Sequence, residues 1–466
     1  MSRLERGAIV VVPLVAVVTL AIGLRIGASS AVRAAVVYGA PPAAARTGLA
    51  WQVVTFVDDR GVREAVELPS IGVVARLRGR EVVWQGSTNA DGVAEIWLEL
   101  PGVAPGDPVE LEVRSAGEKT PLAAGVATWP PETNREASAT PVFARPSKQS
   151  GPLVVDVAVY GTRLVPGFPG DVWVRVRDRA TGAPSGGTWI VAEPEPGLSM
   201  PGVHATTEAD GWAELHASPE IHVVGLGLHV TSKTTGVPVD GEWFGALPVA
   251  PGGAYVAMPQ TVRAGEPHTF EVKVPTVLPL LYVEADDEVG RAFGGSVPVE
   301  RDASFGHASI EVPGLAPGTY WFVTSGAPRA AEALEGSAVA RPFLVTASEL
   351  PPDDLGPRLA TLAAPRFTRF VALDGLPGKR RADGGRHRRG LFIAFGSLFI
   401  AAALEALLIL RGVERSKRQL ARLAEMAGEE EGRLERRFSA TSVVIGLLLA
   451  LLGFALLAAL LTWKAT

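Results

Sequence analysis

The sequence predicts a mainly β protein, three related β-domains in tandem with one apolar segment ahead of them and two behind. The first observation behind this is a repeat. Thr88-Asn89-Ala90-Asp91-Gly92-Val93-Ala94-Glu95-Ile96 returns 119 residues later as Thr207-Glu208-Ala209-Asp210-Gly211-Trp212-Ala213-Glu214-Leu215, a pattern too long to be an accident of composition. An Asp-Gly pair followed by alternating apolar and polar residues is a turn feeding a strand. Gly92 and Gly211 take the positive-φ position, and Asp91 and Asp210 hydrogen-bond backbone nearby. The second observation is another repeat: Leu100-Pro101-Gly102-Val103-Ala104-Pro105-Gly106 recurs as Val312-Pro313-Gly314-Leu315-Ala316-Pro317-Gly318, each copy lying between two alternating stretches. Pro fixes φ and Gly permits the tight bend, which suits a strand-to-strand connection. The third is negative. No helical pattern of about 10–15 residues separates the strand signals, as a βαβ unit would require, so a parallel sheet is not expected.

Composition agrees. A chain of 466 residues accommodates three domains of about 100 residues plus membrane segments. Its 52 Gly and 37 Pro make up near a fifth of the chain, above the roughly 12% average and below the roughly 25–30% that marks disorder. A net charge of −5 gives no footing for nucleic acid. Cysteine is absent, which excludes disulfide staples, thiolate metal sites and cysteine nucleophiles together.

In chain order, Ala8–Leu24 is a charge-free run of seventeen residues behind Arg3 and Arg6. Residues 1–28 therefore read as a membrane anchor or as a signal peptide cleaved near Ala28-Ser29-Ser30-Ala31; a buried core helix is the third reading. The Ala-rich stretch 34–47 with Pro41-Pro42 reads as a linker. The first β-domain is expected over residues 49–129, with strand signals at 51–57, 71–77, 93–100 and 109–113. The second covers 152–251. Its stretch 171–177 alternates cleanly, Val172, Val174 and Val176 on one side and Trp173, Arg175 and Arg177 on the other, the period of a half-buried strand. The third spans 254–346, with strands near 269–274, 280–285, 308–312 and 320–324.

The order of these signals resembles the immunoglobulin-like sandwiches of bacterial surface proteins and the macroglobulin domains of alpha-2-macroglobulin-like proteins. The second domain carries the resemblance at Pro166-Gly167, Val172–Arg177, Thr181-Gly182-Ala183-Pro184 and Thr207–Leu215, and the third at Ala264-Gly265-Glu266 and Ala316-Pro317-Gly318-Thr319-Tyr320. The resemblance implies a sandwich fold over roughly residues 50–346. It does not imply the macroglobulin trap, whose thioester is built from a cysteine.

Residues 349–389 read as a linker with a basic juxtamembrane segment, Lys379-Arg380-Arg381 and Arg386-His387-Arg388-Arg389. Residues 391–410 and 443–463 are expected as transmembrane helices, joined by a charged helical loop over 411–438. Glu414 and Arg418 support that helix as an i,i+4 pair, and Gly428 and Gly432 mark its turn. Eight Lys/Arg in this loop favour a cytoplasmic position, while six at 379–389 oppose it. The export-like amino terminus breaks the tie toward a cell-membrane protein with periplasmic or extracellular β-domains. The outer basic cluster is then free to rest on anionic headgroups.

Glu405 is the sharpest single residue. Ser397, Ala401 and Glu405 share one helix face, a carboxylate among small residues, and Gly446, Ala450 and Gly453 offer a matching close-approach face in the last span. Three readings stand: a helix-assembly contact, an ion-linked switch, or a carboxylate that simply reaches water. The carboxylates of the stretch 282–288, Glu284, Asp286, Asp287 and Glu288, read as an acidic hairpin tip or an oxygen-rich calcium loop. His216, His222 and His229 fit no ligand spacing. Trp173, Trp212 and Trp243 are candidates for a glycan- or protein-binding face or for core. No nucleophile elbow, phosphate loop, dinucleotide fingerprint or zincin helix occurs, so neither enzyme activity, cofactor nor metal is expected. The expected role is non-catalytic, a membrane-anchored envelope protein that binds or scaffolds another envelope protein or a glycan. The alternative is a subunit of an envelope or transport complex.

Overall fold

The computed structural model describes residues 11–12, 14–23, 31–39, 48–59, 61–100, 103–104, 107–127, 143–233, 237–275, 278–301, 304–328, 338–347, 355–363 and 370–427. The chain divides into two compact units, one of residues 35–56 and 65–375, the other of residues 1–34, 57–64 and 376–466.

In chain order the strands β1 (Val32–Gly39), β2 (Leu49–Asp59), β3 (Val62–Ala65), β4 (Ile71–Leu77), β5 (Arg80–Gly86), β6 (Val93–Leu98), β7 (Glu110–Ser115) and β8 (Ala123–Val126) come first. β1, β2, β3 and β6 share one sheet, and the second runs β5-β4-β7-β8. Both contribute to one apolar core that includes Trp51, Val53, Val73, Ile96, Leu98 and Leu111. The strands that build it alternate as a half-buried sheet must. In β4, Ile71, Val73, Ala75 and Leu77 are buried while the residues between them are not.

The next nine strands are β9 (Pro146–Ser150), β10 (Leu153–Val159), β11 (Gly170–Asp178), β12 (Trp189–Pro194), β13 (Leu198–Ser199), β14 (His204–Thr206), β15 (Trp212–Pro219), β16 (Val224–Ser232) and β17 (Val239–Leu247). They form sheets of order β10-β11-β15-β13 and β14-β12-β16-β17-β9. A second core lies between them, with Val172, Val174, Val176, Ile190, Leu228 and Trp243. On β11 the valines point inward and the arginines outward, where Arg177 Nη2 donates to Asp156 Oδ2 at 2.6 Å.

The third set is β18 (Tyr255–Ala257), β19 (Thr261–Arg263), β20 (His268–Val274), β21 (Leu280–Asp287), β22 (Gly290–Pro298), β23 (Glu300–Arg301), β24 (Gly306–Val312), β25 (Gly318–Ser325) and β26 (Val339–Thr346). Its sheets run β18-β20-β24-β23 and β19-β26-β25-β21-β22. Aromatics fill its core: Phe270 meets Phe322 edge-on, ring centres 5.1 Å apart, and also Phe343. The three-residue β19–β26 ladder is parallel, a local departure from the antiparallel pairing expected for the whole chain. Its short length requires no βαβ crossover.

Two elements lie in the stretch 349–389, read above as linker. After β26 comes a short helix α2 (Leu355–Ala360). β27 (Phe370–Asp374) then pairs antiparallel with β1, Val36 opposite Asp374 and Val37 opposite Leu373. β1 itself lies in the stretch read as the Ala-rich linker, ahead of residue 49. Its buried run Ala34–Val37 is fully apolar, so composition alone does not separate it from a linker. The first sheet thus contains strands drawn from both sides of the intervening β-region.

In the smaller unit, α3 (Leu376–Ala427) is a single helix of 52 residues. It is longer at both ends than the span read over 391–410 and takes in the basic juxtamembrane residues, because Lys and Arg are good helix formers and no Pro interrupts it after Pro377. A stretch of it, Leu376–Leu423, is long and apolar enough to cross a membrane. α1 (Leu14–Gly23) packs on α3 where Gly23 faces Ala394 and Gly390; a Cβ at Gly23 would lie 2.8 Å from the Ala394 nitrogen. Such small-on-small contact is how apolar helices approach without a hydrophobic driving force. Asp58, almost fully buried, accepts from Arg380 Nη2 at 2.7 Å, and this bond holds its carboxyl below the usual range.

Candidate functional site

The repeated T-x-A-D-G segments fold into the same object twice. Gly92 and Gly211 sit at φ 71° and 81°. Gly92 N donates to Asn89 O and Gly211 N to Glu208 O, both at 2.9 Å. The preceding threonines are buried, at 3% and 4% exposure, and each hydroxyl oxygen accepts a backbone N–H, Thr88 from Leu68 and Thr207 from Thr188. The glycines are required by space as well as by φ. A Cβ at Gly211 would come within 2.6 Å of Val176 O, and one at Gly92 would collide with Thr55 O.

What surrounds the two turns differs. In the first, Asn89 Oδ1 accepts from Asp91 N and Val93 N, both at 3.0 Å, so Asn89 does the local work the sequence assigned to Asp91. Asp91 Oδ2 instead accepts the Tyr282 hydroxyl hydrogen at 2.6 Å, and Asn89 Nδ2 donates to the Tyr282 oxygen at 3.0 Å. Two residues past the turn on β6, both oxygens of Glu95 are used. Gln52 Nε2 donates to one at 2.7 Å and Arg291 Nη2 to the other at 2.6 Å. Arg291, 5% exposed, also pairs with the buried Glu284 at 3.4 Å. A polar clasp therefore joins the first β-region to β21 and β22. Burial, then the hydrogen bond to Asp91, raises the Tyr282 hydroxyl well above its ordinary pKa.

In the second turn Asp210 makes the expected local bond, accepting from Trp212 N at 3.1 Å. The residue matching Glu95 is Glu214, and it meets Asp171 and His216: one ligand-type atom from each lies within 4.8 Å of the others. Asp171 and His216 are directly paired across β11 and β15, His216 Nδ1 lying 3.1 Å from Asp171 Oδ1. Loss of surrounding water, then the Asp171 charge, raises the Glu214 carboxyl above its ordinary range. Arg341 Nη2 stands 3.7 Å from the other Asp171 oxygen. That guanidinium lies over the Tyr160 ring at 4.6 Å and donates to Val256 O at 3.0 Å. With the Tyr160 hydroxyl donating to Pro342 O at 2.6 Å and Phe168 stacked on Tyr255 at 5.0 Å, it makes a seam between the second and third β-regions.

Other sequence candidates take different places. Glu284 and Asp286 are each 1% exposed and sit inside β21, not on an acidic tip; their strand faces the clasp, where Arg291 supplies charge. Asp287 accepts from Val289 N and Gly290 N and shapes the following turn. Trp243 is core, 1% exposed. Trp212 is half-buried with the Arg175 guanidinium 5.5 Å above its ring, and Trp173 is half-buried against α2. Among the described residues the exposed tryptophans are Trp97 and Trp189, at 42% and 47%. His222 is exposed, and His229 lies near Glu193 and Glu242 on β16. On α3, Ser397, Ala401 and Glu405 are all half-buried, while Phe392 and Phe399 are 82% and 78% exposed. Gly446, Ala450 and Gly453, the expected span at 443–463 and the turn at Gly428 and Gly432 lie outside the described residues. Arg291, Arg341 and Tyr282 carry no sequence signal, because their partners come together only when separate β-regions pack.

No family model matches the chain, and no curated protein matches it. Solved structures do. They include alpha-2-macroglobulin of E. coli in its native conformation, at 12% identity and TM-score 0.18, covering 71% of this chain and 23% of that one. The D0-D1 domain of intimin matches at 14% identity and TM-score 0.14, covering 41% of this chain and 86% of that one. A tetra-tandem repeat from the extending region of a large adhesion protein matches at 12% identity and TM-score 0.16, covering 68% and 74%. These neighbours are immunoglobulin-like and macroglobulin-like domain proteins, the class the sequence motifs resemble. The chain spans about a quarter of the length of the macroglobulins it matches.

Proposed function

We propose that this protein is a non-catalytic, membrane-anchored envelope protein. Three tandem β-sandwiches stand outside the cytoplasmic membrane and bind or scaffold a second envelope protein or a glycan, and two carboxy-terminal spans hold them there. The observation that carries this reading is α3. Its apolar side chains, Phe392, Phe399 and Ile400 among them, are exposed, whereas a core helix of a water-soluble protein buries such residues. The second reading, a subunit of an envelope or transport complex, is favoured by the half-buried line of Ser397, Ala401 and Glu405 on the same helix. It predicts a detergent-extracted complex of defined size in place of a lone chain.

The absence of cysteine makes the test direct. Single cysteines at Lys119, Ser304 and Gln419, all exposed, are labelled in intact spheroplasts with a membrane-impermeant maleimide. Labelling at Lys119 and Ser304 but not at Gln419 is expected. The reverse pattern places the β-region in the cytoplasm and removes the envelope role.

A further inference from the structure

We propose that Asp171, Glu214 and His216 form a binding site for a divalent transition-metal cation of the zinc type, on the outer face of the β10-β11-β15-β13 sheet. The register builds it. Asp171 and His216 are cross-strand partners, and Glu214, two residues before His216 on β15, projects from the same face. Zinc bonds to imidazole nitrogen and carboxylate oxygen at about 2.0–2.2 Å, so neighbouring ligands of a tetrahedral ion lie roughly 3.3 Å apart. The 3.1 Å between His216 Nδ1 and Asp171 Oδ1 is close to that edge before any ion enters. A Glu214 oxygen within 4.8 Å of both is the third ligand, and three protein ligands leave a fourth position open. One nitrogen and two carboxylates suit zinc, cobalt or nickel. Calcium, which takes about six to eight oxygens, finds too few here.

A second observation points the same way. In the first β-region the matching glutamate, Glu95, is neutralised by the Arg291 guanidinium at 2.6 Å. At Glu214 no Lys or Arg makes an ion pair among the described residues, and an oxygen of the Asp171 carboxylate lies within 4.8 Å. The repeat thus pairs this glutamate with an arginine in one copy and sets it beside Asp171 and His216 in the other. Arg341 does not pair with Glu214, because its guanidinium addresses the far oxygen of Asp171 at 3.7 Å and is held by Tyr160 and Val256. An ion at the site shares Asp171 with Arg341 and so lies beside the seam between the second and third β-regions.

The inference is independent of membrane topology, and so is its test. The full-length chain in detergent, stripped with a chelator, is titrated with Zn²⁺ by calorimetry and with Co²⁺ by visible absorption. One ion per chain is expected, weakened at least tenfold in His216→Ala and in Glu214→Gln and unchanged in His222→Ala. Both Glu214 and His216 are exposed, so the variants should melt like the parent without metal. Absence of binding at about 100 µM Zn²⁺, or binding equal to the parent in both His216→Ala and Glu214→Gln, overturns the proposal.

Discussion

The two T-x-A-D-G turns share sequence, backbone angle and backbone hydrogen bonds, yet one is clasped by another β-region and the other faces solvent. Asn89, Asp91 and Glu95 of the first engage Tyr282 and Arg291. Glu208, Asp210 and Glu214 of the second are exposed. The motif therefore specifies a turn and nothing more. Its function is decided by the positions left free within the pattern and by what the chain brings opposite them.

The largest test of that difference is Arg291→Ala. It removes the cation from buried Glu284 and half-buried Glu95 and should cost about 3–5 kcal/mol, read from denaturant melts. Glu214→Gln in the solvent-facing copy should stay within about 0.5 kcal/mol. Next, Gly92→Ala and Gly211→Ala should each cost roughly 2–3 kcal/mol, since both meet the left-handed penalty and a carbonyl oxygen. Similar losses in the two copies would show that the turn is one structural unit whatever its surroundings.

Tyr282→Phe should cost about 0.5–1.5 kcal/mol by removing the hydroxyl that bonds Asp91 and Asn89. The pH dependence has a definite sign. A tyrosine whose pKa is raised on folding contributes stability that is whole below its unfolded pKa of about 10 and is lost as pH rises toward the folded value. Alkaline melts of the parent should fall above about pH 10, and Tyr282→Phe should lack that part of the fall. Among the turn substitutions the smallest loss belongs to Asp210→Ala, which removes one exposed turn bond worth about 0.5–1 kcal/mol.

Much of the β architecture was legible in the chain because it rests on local chemistry. Val172, Val174 and Val176 alternate with Trp173, Arg175 and Arg177, and that period is a strand before anything packs on it. The two turns could be read for the same reason. β1 and β27 were not legible. Ala34–Val37 has no polar alternation, and Phe370–Asp374 is five residues whose strand character depends on a partner more than 300 positions away. Of the acidic run at 284–288, Asp287 and Glu288 lie at the β21–β22 hairpin turn, whereas Glu284 and Asp286 are buried in β21; sequence cannot show that Arg291 lies against them. The cluster at Asp171 was missed in a similar way: Asp171 and His216 are 45 residues apart, and only the β11–β15 register joins them. The spacing of His216, His222 and His229 was the wrong place to look, since ligands on a sheet are set by pairing and not by intervals along one strand.

The most direct test of the divided roles is a double-mutant cycle on the full-length chain. Glu95→Gln and Arg291→Met are measured singly and together, beside the control pair Glu214→Gln and Arg291→Met. A coupling above about 1 kcal/mol is expected for the first pair and additivity within about 0.5 kcal/mol for the second. Additivity in both cycles would contradict it, leaving the first turn as free as the second.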